Sequence, residues 1–534
     1  VPYGKPVTRL KEYVQIMKQI FAREGDLHFE GKEYQIPYKG PGSTGLGKPL
    51  KSILHCEAPI PIYAATLTPA GVQAAAEVAD GFFPVWMDPD QYSVFAEPIE
   101  KGFAAAGGGK TTCGAIPWLQ SMLADTSRAI VVMDSKDGEI AAQCADMCAD
   151  YGRAVAILDD FWILGADNPY RVSLNPFGGM RSAHERQNGE LVFAADGANH
   201  ALIEEPPNDA RNQYWRDEPR ALIEFAQSTL LNRNPRLATP GGVWSMLVNP
   251  VQMQGLAKID IEEGSIALAA LARHVLEMER QAEHFPQHRG AAAKALRIFS
   301  AGSPLHMAGY DAQETHEGLL AKKYVIFLVG PQRYMERLGP YYALHLQSFM
   351  DAILGGNVGA TDLILDEFTN APLKELVSRL TTIRGYGGRC HMIAQSPSEM
   401  QRRYGDKETK TIEENAVVKQ WFGFSSFEEA ERVSRAMGEA QNVSHSLNVN
   451  SDRTELSGSF QTGKELVFTS SELMCLPGDQ QIIHVKDVGF IHARKIRQNQ
   501  IGPYAFALAD NPLEGARLPP EPLIDLPTKL EKAS

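Results

Sequence analysis

Several absences narrow the field before any motif is read. The 534-residue chain has no run of roughly 18 or more apolar residues, so no segment is expected to cross a bilayer as a helix. Its opening residues, VPYGKPVTRLKEY, carry no signal-peptide pattern, and the expected location is cytoplasmic. A basic surplus is also missing: 52 Lys+Arg stand against 65 Asp+Glu, for a net charge of −13. That excludes a strongly basic nucleic-acid coat protein but leaves room for a local basic rim that touches nucleic acid. Cysteine is sparse, with six in all (Cys56, Cys113, Cys144, Cys148, Cys390 and Cys475). Only Cys144 and Cys148 stand close, one helical turn apart in AAQCADMCADYG, with no further ligands beside them. Buried or half-buried thiols in a reducing compartment are therefore expected, not a metal site.

What is present is ordinary globular material: 44% hydrophobic and 22% charged residues, with length for roughly three to four domains. Near the start, PVTRLKEYVQIMKQIFARE sets Leu10, Val14, Met17 and Phe21 along one helical stripe. A turn-rich segment follows, and then a strand (60–65), a helix (69–79) and a second strand (82–86), an αβ repeat of the kind found in parallel sheets.

The segments LKEYVQIMKQIFAREGDLHFEGKEYQIPY, GPGSTGLGKPLKSILH and PIYAATLTPAGVQAAAEVADGFFP resemble the C-terminal part of luciferase-like flavin or deazaflavin oxidoreductases. The resemblance implies a TIM-barrel fragment over residues 1–106, with Thr68, Ala70, Gly71 and Val72 as a vestigial flavin phosphate site. Helix N-terminal amides suit an anion there. A full barrel takes about 250 residues, so the fragment is expected to be an incomplete one.

Beyond residue 106 the character changes. In GGGKTTCGAIPWLQSM, the amides of Gly107, Gly108 and Gly109, with Lys110, Thr111 and Thr112, are placed to bind nucleotide phosphates, and the Thr111 hydroxyl to ligate Mg2+. The alternative is a plain flexible loop. The phosphate-loop pattern wants glycine six residues before the lysine, where this chain has Ala104; alanine resists positive φ, so impaired activity is expected. RAIVVMDSKDGEIAAQCADMCADYG then reads as a strand (129–133), a polar turn with Asp134, Lys136 and Glu139, and a helix; RAVAILDDFW gives another strand.

Far downstream, ATDLILDEFTNAP ends an apolar strand (363–365) on Asp366 and Glu367. Ligands bind at such strand ends in open α/β sheets. Asp366 suits a Mg2+ shell and Glu367 the polarising of an attacking water, with a helix-start acid as the alternative reading. The strand expected over 390–394 delivers Gln395 to the same edge, as a γ-phosphate sensor. Arg384 or Arg389 would serve as an arginine finger acting in trans, or else as a solvated helix-end cation.

Together GGGKTT, MDSKDGE, VSLNPFG, KKYVIFLVGPQ, LILDEFTNAP and IRGYGGRCHMIAQSPSEMQRRYGD resemble the TraG/TraD-type conjugation coupling proteins, ATPases of type IV secretion systems. The resemblance runs over about residues 107–530. It implies an α/β fold: a RecA-like P-loop NTPase motor domain (107–187 and 309–510) with an inserted all-α domain (188–308), ahead of a Pro-rich extended tail (511–534). It also implies ATP and Mg2+ as cofactors; DNA, a relaxase and secretion-channel proteins as partners; and a hexameric ring. The family's membrane anchor is not legible here, and the oxidoreductase-like segment stands in its place. The expected function is an ATP-hydrolysing DNA translocase. The alternatives are a luciferase-like oxidoreductase resting on the N-terminal fragment, or an inactive fusion.

Overall fold

The structure is a computed structural model that describes residues 5–22, 26–40, 43, 62–83, 95, 98, 110–206, 210–281, 283–371, 376–424, 426–449, 456–513 and 517–528. The loop residues Ala104, Gly107, Gly108 and Gly109 lie outside the described residues. The chain divides into two compact units: Val1–Lys110 with Val417–Lys495, and Thr111–Ala416 with Ile496–Ser534.

The larger unit is organised by a six-stranded sheet. In chain order its strands are β1 (Ala129–Asp134), β2 (Val155–Leu158), β3 (Arg171–Val172), β4 (Val325–Val329), β5 (Thr361–Leu365) and β6 (Gly388–Met392). They lie side by side as β6-β5-β1-β4-β2-β3, and every neighbouring pair is parallel. Four of the strands are uninterrupted apolar runs, AIVVM, VAIL, VIFLV and the LIL of β5, as a sheet covered on both faces requires. Side chains alternate between the faces. Ala129, Val131, Met133, Leu363 and Leu365 enter one core, whereas Ile130, Val132 and Ile364 enter the other.

The second face is covered by α1 (Ile116–Met122) and α2 (Glu139–Asp150), through Ile116, Leu119, Ile140, Cys144 and Met147. Residues from the C-terminal end of the unit join this core, among them Ile501, Tyr504 and Leu508. They also enter a buried polar chain: Gln120 Nε2 donates to the Gln498 carbonyl (3.0 Å), and Gln498 Nε2 to Gln143 Oε1 (2.8 Å). Asn511 Nδ2 donates to Glu139 Oε1 at 3.0 Å.

The first face is covered by helices. Between β3 and β4 the described elements are all helical, from Gly178–Arg186 to His316–Ala321. The runs read as amphipathic form the helices Tyr214–Arg233 and Ile266–Arg280, the latter capped by Ser265, which accepts from Leu268 N at 3.2 Å. Leu222, Phe225, Val275 and Phe299 share one continuous core with the sheet face.

In the smaller unit, the helix Pro6–Ala22 precedes a parallel pair, Tyr63–Ala65 with Gly81–Phe83, joined by the helix Pro69–Val78. The same unit holds an antiparallel sheet of Val418–Trp421, Gln480–Val485 and Gly489–Arg494 over Phe424, Val433, Leu473 and Ile482.

At the N-terminal edge of the six-stranded sheet a buried fork ties three strands. Arg128 Nε lies 2.6 Å from Asp362 Oδ2 and its Nη2 2.9 Å from Oδ1, while Nη2 also donates to the carbonyls of Thr361 and Gly387. Arg153 caps the same edge by donating to the carbonyls of Leu123, Arg128 and Lys323. Breaking a buried pair strands the surviving charge, so Arg128→Ala is expected to cost about 3–5 kcal/mol. Exchanging both Arg128 and Asp362 for apolar residues is expected to cost less. Urea denaturation of the two variants checks the order.

Candidate active site

The C-terminal edge of the sheet carries the opposite chemistry. β1 and β5 run in register, Met133 beside Leu365, so the next residues, Asp134 and Asp366, emerge level on adjacent strands. Both are fully buried. Asp134 Oδ2 accepts from the amides of Ile140 (2.9 Å) and Ala141 (2.8 Å) in the first turn of α2, a favourable place for negative charge. Burial nevertheless dominates and, with the nearby Asp366 and Glu139 charges, pushes the Asp134 carboxyl up to about 8 against the pull of the two amides.

The turn after Asp134 is tight. Asp137 (φ 53°) and Gly138 (φ 72°) are both left-handed. Asp137 N donates to the Gly330 carbonyl at 3.1 Å, and Asp137 Oδ1 accepts from Gln332 N at 3.1 Å. From this anchored turn Lys136 reaches across to β5, its Nζ 3.1 Å from Asp366 Oδ2 and 3.7 Å from Glu367 Oε2. Burial alone would lower the pKa of the ammonium; Asp366 and Glu367 more than reverse this and hold it above its ordinary value. Glu367 is itself left-handed (φ 58°, ψ 51°), a conformation that costs a non-glycine residue energy and is kept where the surroundings enforce it. Here the ladder enforces it, since Ile393 N donates to the Leu365 carbonyl (3.0 Å) and Phe368 N to the Ile393 carbonyl (3.2 Å).

The other expected site residues fall as follows. Thr111 is buried and opens a single π-helical turn, Thr111–Ala115, that runs into α1; such turns recur at functional sites. Lys110 is helical and immediately precedes it, and Thr112 Oγ1 lies 3.8 Å from Cys113 Sγ. Gln395 is exposed, just past β6 on the Asp366 side of the sheet. Arg384 is not brought to this edge. It is exposed in a short turn, Arg384–Tyr386, ahead of β6, so the length of a strand separates it from Glu367 within one chain. In the smaller unit Thr68 caps its own helix, accepting from Gly71 N at 3.1 Å, with Gly71 and Val72 buried and Ala70 exposed.

Sequence reading recognised Lys136 only as part of a polar turn and gave Asp160 no part. Asp160 follows β2 at the same edge, where burial raises its carboxyl to about 6 although the Tyr341 hydroxyl donates to it at 3.0 Å. An acid pair ending an apolar run, as in AILDD, was the available signal. A separate cleft, lined by Gly178, Arg186, Phe193, His316, Asp351 and Arg379, contains none of these residues.

The donor set fits Mg2+. Asp366 offers a hard carboxylate at a strand end, and the position already balances its charge with a cation, Lys136. Among the described residues no group of three or more His, Cys, Asp or Glu could hold a metal ion.

With this geometry in place, comparison with known proteins becomes informative. The bacterial conjugative coupling protein TrwBdeltaN70, in its unbound form, superposes with a TM-score of 0.51 at 16% identity, over 73% of this chain and 83% of its own. The larger part of the chain has the α/β fold of a conjugative coupling protein. A family described as the TraM recognition site of TraD and TraG matches residues 361–478 of this coupling-protein-like chain. A second solved structure, TrwB in complex with ADP and Mg2+, shows a TM-score of 0.45 at 15% identity, covering 70% of this chain and 86% of that one.

The N-terminal segment is luciferase-like. The luciferase-like monooxygenase family matches residues 1–189, and a coenzyme F420-dependent oxidoreductase, so named, from Mycobacterium tuberculosis is 40% identical over 106 residues. That stretch is 20% of this chain and 30% of the relative, so the chain spans under a third of the relative's length. The two extents differ. The family match extends over β1 and β2, which hydrogen-bond into the six-stranded sheet. Among the described residues no helix is long and apolar enough to cross a membrane.

The raised Asp134 carboxyl yields a pH dependence. The folded chain holds a proton on Asp134 that the unfolded chain releases between about pH 4 and 8, so stability falls as pH rises through that window. Asp134→Asn keeps an oxygen for the two helix amides and loses the titration. Its stability relative to the parent is expected to grow from pH 5 to pH 8, read by urea unfolding at each pH. A constant difference would show Asp134 already ionised at pH 5.

Proposed function

We propose that the chain is an ATP-hydrolysing DNA translocase of the coupling-protein type, working as a ring-shaped oligomer. The observation that carries this reading is the pairing of Asp366 and Glu367 at the C-terminal end of a central strand with a half-buried cation held against them, in a chain with a coupling-protein fold. Lys110, Thr112 and the amides of Gly107 to Gly109 would hold the nucleotide phosphates. Thr111 and Asp366 would hold Mg2+, which when bound supplies charge neutralisation to the phosphates. Glu367 orients the attacking water and accepts its proton. The backbone of Glu367 is fixed by strand pairing on both sides of the turn, so its carboxylate is held in place ahead of the reaction. Gln395, exposed at the same edge, senses the γ-phosphate.

Arg384 lies at the other edge of its own sheet, which supports a role in a neighbour's site rather than its own. A ring, hexameric in the resembled family, would supply that neighbour. An accessory protein of the TraM kind is a partner of this reading, in keeping with the family match over residues 361–478. Relaxase and channel proteins are the further partners of this reading. DNA is gripped through its phosphates, so binding weakens steeply with salt.

A second reading rests on the luciferase-like family match from residue 1 and on the 40% identity over 106 residues to an oxidoreductase. It assigns Thr68 to Val72 to a flavin or deazaflavin phosphate, and absorbance of the purified protein reads it directly.

ATP hydrolysis with and without DNA tests the main reading. Lys110→Ala and Glu367→Gln are each expected to lower kcat by about 100-fold or more, and DNA to stimulate the parent alone. Equal rates in all three proteins would overturn the assignment.

A further inference from the structure

Lys136 is given no chemical step in the scheme above, yet it occupies its centre. Its ammonium is 3.1 Å from Asp366 Oδ2 and 3.7 Å from Glu367 Oε2, and both carboxylates are buried. We propose that Lys136 is an exchangeable counter-cation that competes with Mg2+ for the Asp366–Glu367 pair, so that the metal enters only as the ammonium withdraws. The inference rests on the nucleotide-site reading.

Three observations carry it. First, charge: two buried carboxylates on consecutive residues need a cation in the resting protein. An ammonium and a dication repel, and Asp366 Oδ2 engaged by Nζ is not open to a metal that demands short, near-octahedral oxygen contacts. Second, the backbone on either side cannot follow the exchange. Asp137 is tied by its amide to Gly330 and by its carboxylate to Gln332, and Glu139 N donates to the Lys136 carbonyl at 3.0 Å. The side chain, with its flexible four-carbon stem, can withdraw from a fixed turn. Third, the receiving carboxylates are equally fixed, Asp366 by strand register and Glu367 by its enforced left-handed backbone. A mobile cation between immobile partners is the arrangement an exchange requires.

Metal titration without nucleotide tests the exchange directly. Mn2+ binding is followed by electron paramagnetic resonance, and Mg2+ binding by thermal melting, in the parent chain, Lys136→Met and Lys136→Arg. Lys136→Met removes the competitor, and its half-saturating metal concentration is expected to fall at least tenfold. Lys136→Arg installs a forked cation that holds the carboxylates harder, and its half-saturation is expected to rise at least threefold. If Lys136→Met fails to fold, the arginine variant decides alone. Half-saturation unmoved by the variants, or lowered by arginine, overturns the exchange. Binding of a fluorescent ADP analogue forms a separate arm. Its absence in every protein would sink the nucleotide site, while the metal titration still decides the role of Lys136.

Discussion

A parallel sheet buried on both faces has only its two ends on which to place charge, and the larger unit is built on that constraint. The strands here carry apolar side chains to each face in turn, so neither face can host polar chemistry. Charge is pushed to the ends, and because all neighbouring strands point the same way, the two ends differ. One receives the Arg128–Asp362 fork and the Arg153 carbonyl contacts, a closed arrangement in which each guanidinium meets acceptors. The other receives Asp134, Asp160, Asp366 and Glu367 with Lys136, an arrangement weighted towards negative charge and poised for a cation.

Backbone strain falls at both ends, and Lys323, just ahead of β4, is left-handed at the first. Asp137 and Glu367 both hold left-handed backbones without being glycine, and each is pinned by hydrogen bonds to the neighbouring strand end. The stable half of the sheet holds the reactive half in geometries it would not adopt by itself. The helical layer adds to this. Its core is continuous with one sheet face, so the strands have no freedom to shear and lose the alignment of Asp134 with Asp366.

Much of this was legible in the sequence, for identifiable reasons. The strand ending on Asp366–Glu367 announces itself as an apolar run stopped by two acids, and the structure extends it only to Thr361. The strand after it was expected over 390–394 and runs instead from Gly388 to Met392. Glycine reads locally as loop, but pairing with Thr361 draws Gly388 into the ladder. Arg384 stands ahead of this strand and Gln395 past it, so a whole strand lies between two residues close in sequence. Lys136 was hidden. Its partners sit far along the chain, and no local pattern predicts that a lysine in a polar turn will end against two carboxylates. Hydrophobic period reveals strands; it says nothing of which strand ends meet.

The buried polar chain joining Gln120, Gln143 and Glu139 to Gln498 and Asn511 has a consequence for how the molecule is made. The first helices of the larger unit emerge from the ribosome well before the groups that satisfy their buried amides and carboxylate, which lie 355 to 378 residues further on. Until then Gln120 and Gln143 must stay wet or find other partners, and the second sheet face lacks Ile501, Tyr504 and Leu508. Contacts of such separation are slow to close. Synthesis therefore leaves this face exposed for most of the chain's passage, and a nascent chain stopped short of Ile496 is a chain for chaperones to hold.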